Sequence, residues 1–280
     1  MLDFQLFRVK VYIPSQINFF IMNKSPTEIL KEIVFSLPSA ELKRGMIWNI
    51  GNVTPIDETG IYFRIGRMSK STIEVYQNGN FLDQEFEIAP YTHVLLDINL
   101  EVCAIAKKSK LSAKTAGIVN QLARLLNKSD KASYFDVEIE VNEISDPNDF
   151  ITHLKQAFAI SKFWLTFSRP NSFDANSDFE KPLQRLLKEI EGEKGKLELQ
   201  GDSLKAGSLE DITRSLASTG NDASALLVEE KGRKGVRKYL RGNPVFILEE
   251  DIVDDQQKRD FFRRIREVYY KIRGKSNAEL

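Results

Sequence analysis

The residues best suited to chemistry lie late in the chain. Lys231, Arg233, Lys234, Arg237, Lys238 and Arg241 place six positive charges within eleven residues, with no acid among them. The stretches Ala223–Glu230 and Val236–Leu240 flank the glycine-bearing turn Lys231-Gly232-Arg233-Lys234-Gly235, so the spacing predicts a β-hairpin with a basic tip. Such a tip can reach a phosphate backbone, where each neutralised phosphate releases counterions. Tyr239 adds a stacking surface. The competing reading is a solvated hairpin balanced by the acids that follow, Glu249, Glu250, Asp251, Asp254 and Asp255.

The same stretch offers one catalytic alternative. Glu229-Glu230-Lys231 matches the Glu-x-Lys end of a nuclease half-site, in which two carboxylates hold Mg²⁺ and a lysine positions water. Asp211 or Asp222 would supply the second carboxylate. Only this alternative calls for a cofactor. There is no phosphate-cradling glycine loop, no Gly-Lys-Ser/Thr after a strand and no Gly-x-Ser-x-Gly elbow. His93 and His153 are far apart, and Cys103 is alone inside the apolar run Leu100–Ala106, where a buried inert thiol is expected. The chain therefore reads as a binding protein rather than an enzyme.

Forty basic and forty acidic residues cancel, which excludes a globally basic nucleic-acid coat. No stretch approaches the roughly 18–20 apolar residues of a membrane helix. The opening MLDFQLFRVKVYIP alternates like a strand and lacks a signal layout, so a cytoplasmic chain is expected, without a membrane partner.

The elements that must position these residues read as α+β in two units: an N-terminal domain over 1–128 and a C-terminal domain over 134–280, divided by the polar stretch Asn127–Ser133. The first begins with a strand closed by Pro14. A helix capped at Ser25 and ended at Pro38 follows, then strands from Met46 to Lys107 with turns at Gln77–Asn80 and Asn99, and a helix capped by Ser112. The second unit begins with a strand of Phe135, Val137, Ile139 and Val141. It continues with a helix from Asp146-Pro147 holding Phe150, Leu154 and Phe158, and a strand Phe163–Phe167 ended at Arg169-Pro170. After a polar loop over Asn171–Asp178 come a helix of Leu183, Leu186, Leu187 and Ile190, a strand Lys196–Gln200 and a helix capped by Ser208. The basic hairpin, a strand Val245–Leu248 and a terminal helix Asp254–Arg273 complete it. Both halves open with an alternating strand and then a helix carrying proline near its start, as a distant duplication would. The terminal helix has an apolar face of Phe261, Ile265, Val268 and Ile272, widened by Phe262 and Tyr269, which fits packing on a core. Its basic residues, among them Lys258, Arg263, Arg264 and Arg266, would otherwise extend the hairpin's patch or dock a partner.

The succession FDVEIEVNEISDPNDFITHL, FWLTFSRPN and DFEKPLQRLLKEI resembles a bacterial family of unknown function found in defence islands and toxin–antitoxin-like neighbourhoods. That resemblance implies a bacterial cytoplasmic protein acting against phage, and it supplies no catalytic residue. A weaker likeness, to antiviral ribonuclease toxins, lacks their Arg-x4-His motif: Ile88 and Asn148 stand where the arginine would precede His93 and His153. The expected function is thus a non-enzymatic antiphage component that binds nucleic acid or a partner protein, with the nuclease or an antitoxin-like scaffold subunit as alternatives.

Overall fold

A computed structural model describes residues 1–13, 24–168, 178–250, 252 and 254–274. Pro14, the Arg169-Pro170-Asn171 sequence and most of the loop that follows it lie outside the described residues. The fold is α+β, with two antiparallel sheets.

Strand β1 (Leu2–Tyr12) leads to helix α1 (Pro26–Phe35), which begins in a capping box: Ser25 accepts from the Glu28 amide while Glu28 reaches back to the Ser25 amide. Strands β2 (Ser39–Lys43), β3 (Met46–Pro55), β4 (Gly60–Gln77), β5 (Asn80–Ile88), β6 (Tyr91–Asp97) and β7 (Val102–Ala106) follow. The β4–β5 turn has positive φ at both Asn78 and Gly79, as the Asn-Gly pair predicts. Helices α2 (Thr115–Asn127) and α3 (Asp130–Phe135) come next, then β8 (Glu138–Glu143). The first sheet runs β13-β1-β7-β6-β4-β3-β2, where β13 is Phe246–Glu249; β8 also pairs with β1, beyond β13 on the same edge. This sheet therefore draws strands from both sides of the division expected at 128–134. The opening strands of the two halves, β1 and β8, pair with each other.

The second sheet runs β10-β9-β11-β12, formed by Lys194–Gln200, Ala159–Ser168, Ala223–Val228 and Val236–Tyr239. Helices α4 (Asn148–Gln156), α5 (Glu180–Glu189), α6 (Ala206–Ser218) and α7 (Asp255–Arg273) complete the chain. One core packs α1, α2 and α3 on the first sheet through Phe7, Val9, Ile33, Phe63, Ile118 and Leu125. A second core lies on the sheet's other face. It joins Phe4 and Leu6 to Phe261, Ile265 and Tyr269 of α7, then to Leu216 of α6 and Phe163 and Leu165 of the second sheet. The alternation of β1 thus serves both cores, because successive side chains point to opposite faces.

Several local expectations shift. Phe135 ends α3 rather than starting a strand: Asp136 takes a left-handed C-cap (φ 50°), so pairing begins at Glu138. Ser112 does not cap α2, whose N-cap is Lys114, and Ser208 lies inside α6, whose N-cap is Lys205. Phe158 falls beyond the end of α4 and is exposed. The strand Val245–Leu248 begins one residue later and joins the first sheet, not the basic hairpin's sheet. The terminal helix begins as predicted, in a capping box of Asp254 and Gln257, and buries Phe261, Phe262, Ile265, Tyr269 and Ile272.

Candidate nucleic-acid interface

Strands β11 and β12 pair Ser224 with Tyr239, Leu226 with Arg237 and Leu227 with Val236, so the basic segment does form a hairpin. Lys231, Arg233 and Lys234 are exposed in its loop, with Gly232 at φ 85°. The structure parts the remaining three. Arg237 lies on the sheet face turned away from the helices. Lys238 shares a face with buried Ala225 and is half-buried. Arg241 lies past the opposite end of β12. Two of the six charges are paired, though not by the acids next in sequence: Arg233 binds Glu230 at 2.9 Å, and Arg241 binds Asp222. Glu249 instead pairs with Arg264, and Asp255 with Lys258.

The signal missed in the sequence is Trp164. Phe163, Leu165 and Phe167 of β9 are buried, so the alternation of that strand puts Trp164 on the outer face. The register then makes one row across all four strands: Glu198, Trp164, Ser224, Tyr239. The adjacent row holds Gln200, Lys162, Leu226 and Arg237. Arg237 bridges the two rows. Its guanidinium carbon sits 4.2 Å from the Trp164 ring centroid and 5.3 Å from that of Tyr239, and its Nη2 donates to Ser224 Oγ at 2.9 Å. On the other side Lys162 Nζ and Trp164 Nε1 both donate to Glu198, at 2.7 and 2.6 Å, which keeps that carboxyl below its usual range. Tyr239 is 61% exposed. With strands about 4.8 Å apart, the two rings stand about 10 Å from one another.

The nuclease alternative is not assembled. Glu229 and Asp222 lie at opposite ends of β11, seven residues apart along an extended strand, or about 23 Å. Asp222 is held by Arg241, and Asp211 is exposed on α6. Among the described residues no three His, Cys, Asp or Glu side chains gather as a metal site requires.

Most basic residues of the terminal helix are already engaged. Arg266 binds Asp57 and Asp97, Arg264 binds Glu249, Arg263 binds Asp260, and Arg273 donates to Ser215 and Ser218. The contacts of Arg266 and Arg264 anchor α7 to the first sheet, those of Arg273 tie it to α6, and Arg263–Asp260 lies within the helix. Cys103 is buried, and that burial pushes its thiol pKa up, away from reactivity. His93 Nδ1 is 2.8 Å from the Tyr62 hydroxyl, and His153 is 3.8 Å from Asp149, one turn earlier on α4. No helix among the described residues is long and apolar enough to cross a membrane. Compared with protein-family models and with curated proteins, the chain matches none.

Proposed function

We propose that this protein binds single-stranded nucleic acid on the open face of its second sheet, as a non-enzymatic component. The observation that carries the reading is the bridging of Trp164 and Tyr239 by Arg237, one of the six basic residues, on a sheet face not covered by helices. Sequence-tolerant binding of unpaired strands combines aromatic stacking with a cationic track. The flat rings would take bases, while Lys231, Arg233 and Lys234 at the hairpin loop would take phosphates. A duplex hides its bases in the stack and would meet only the charges. Cytoplasmic residence belongs to this reading. The defence context rests on the family resemblance alone and adds no residue to it.

The test is fluorescence polarisation with single-stranded and duplex oligonucleotides at two salt concentrations. Stacking contributes about 1–3 kcal/mol per base, so Trp164→Ala and Tyr239→Ala should each weaken single-strand binding by about 5- to 150-fold. Equal affinity for duplex, or binding indifferent to both substitutions, would refute the reading.

A partner protein is the second reading, favoured by a separate observation. Beyond Ser69 the β4–β5 hairpin projects as a two-stranded ribbon, and on one of its faces the register gathers Ile73, Val75, Leu82, Phe86 and Ile88. All but half-buried Val75 are exposed. In-cell crosslinking through this ribbon, lost with Leu82→Asp/Phe86→Asp while oligonucleotide binding persists, would establish it.

A further inference from the structure

Lys10 occupies an unusual place. It lies near the end of β1, opposite Glu140 of β8 and two residues past the last pair with β7, on the face that carries Phe4 and Leu6 into the second core. It is 2% exposed. Its Nζ donates to Ser168 Oγ at 2.8 Å and reaches Asn221 Oδ1 at 3.5 Å, and both acceptors are neutral. Among the described residues no carboxylate comes within ion-pair distance of it. Burial first, and then the charge of Arg8, lowers its pKa to about 8, so the group is still mostly an ammonium at neutral pH.

This ammonium lines a cleft of about 410 Å³ between the two sheets, within the roughly 300–1,000 Å³ span of small-molecule sites. Lys194, Lys196 and Arg241 line it too, against two carboxylates, Glu140 and Asp222. Both carboxylates are already occupied: Glu140 accepts from Tyr12 and Asn142 and pairs with Lys194, and Asp222 is bound by Arg241. Among the described residues four cations thus face two carboxylates in the lining; Glu180, buried one hydrogen bond behind Asn221, offsets part of the Lys10 charge, and Lys196 has no ion-pair partner. The backbone is shaped to bring Asn221 to Lys10: Gly220 has φ 67°, and a Cβ there would lie 2.9 Å from Asn142 and 3.4 Å from Arg8. A buried cation held by neutral partners is costly unless an anion completes it.

We infer that this cleft binds a phosphate monoester, with Lys10 as its buried cationic anchor. A monoester carries about −1.5 to −2 at neutral pH, which matches the excess of two cations over carboxylates in the cleft lining. Thr166, Ser168 and Asn221 supply neutral hydrogen-bonding groups around them. The phosphate could belong to a free mononucleotide or to the end of a strand. Ser168 is four residues from Trp164 along β9, about 13 Å away, so a strand stacked on the open face could place its terminal phosphate in the cleft. The inference stands on the cleft itself and does not require the open-face reading.

The experiment titrates AMP and adenosine by calorimetry. In parallel, a short single-stranded oligonucleotide is compared with and without its 5′-phosphate. AMP should bind and adenosine should not, or the 5′-phosphate should tighten the oligonucleotide. The first result alone identifies a free mononucleotide, the second alone a strand terminus. In either case Lys10→Met should weaken the phosphate-dependent binding tenfold or more. Lys196→Glu, on the exposed rim, should weaken it as well and guards against a folding defect in the first variant. Absence of phosphate discrimination in both arms, or Lys10→Met binding like the wild type, would overturn the inference. So would labelling of Ser168 by a fluorophosphonate that Lys10→Met abolishes, because that requires Lys10 neutral as a base for a nucleophilic serine.

Discussion

Lys10→Met, measured without added anion, should make the protein more stable at pH 7. Lowering a lysine from its ordinary 10.5 to about 8 means the folded state holds the charged form about 3 kcal/mol less favourably than the unfolded chain does, at 1.36 kcal/mol per pH decade. Methionine fills similar space without the charge, but it forfeits the charge-assisted hydrogen bond to Ser168, worth about 1.5–3 kcal/mol, and the long 3.5 Å contact to Asn221, which adds little. The net gain expected is small, up to about 2 kcal/mol. The sign with pH follows from linkage. Between pH 8 and 10.5 the unfolded lysine keeps a proton that the folded one has lost, so wild-type stability from this group rises with pH. The penalty is fully present below pH 8 and gone above 10.5, where the variant should become the less stable of the two. The charges felt by Lys10 come from Arg8 and Lys194, which lower its pKa, and from Glu140 and Glu180, which raise it. None of these is altered by the substitution. Urea denaturation of both proteins at pH 7 and pH 10 in phosphate-free buffer reads the difference. A variant less stable at pH 7, or a difference that does not change with pH, would refute the reasoning.

Ile265→Asp should leave the chain insoluble or strongly destabilised, because Ile265 is 1% exposed under α7 and an unpaired buried carboxylate costs several kcal/mol; a soluble protein with unchanged melting would contradict the packing of that helix. Arg233→Glu/Lys234→Glu should abolish oligonucleotide binding and leave the melting temperature nearly unmoved, since both side chains are exposed and such charges contribute about 0–1 kcal/mol; polarisation and thermal melts decide it. Glu229→Ala should change neither binding nor Mg²⁺-dependent cleavage, and a folded variant that lost a cleavage activity would restore the nuclease alternative.

What could be read in the sequence was local. The Ser25 cap, the Asn78-Gly79 turn, the basic hairpin, and the start and buried stripe of α7 each depend on residues a few positions apart, and each appears in the structure where the pattern places it. Trp164 was legible on the same terms, since strict alternation with Phe163 and Leu165 leaves it facing outward.

Other features needed the whole fold. The unit division expected at 128–134 depended on a polar stretch, yet whether β8 and β13 pair with β1 is decided by long-range edges that no local pattern encodes. Of the acids beside the basic hairpin in sequence, Glu249 goes to Arg264 and Asp255 to Lys258, and the hairpin's own partners, Glu230 and Asp222, are set by turn geometry and strand register. Lys10 is the sharpest case. In FQLFRVKVYIP it looks like the solvated side of an alternating strand, because periodicity reveals only that alternate residues share a face. Which face meets water depends on what is laid over it. Here the second sheet and the α6–β11 turn cover that face, and tertiary packing alone turns a surface-type lysine into a buried cation at a cleft.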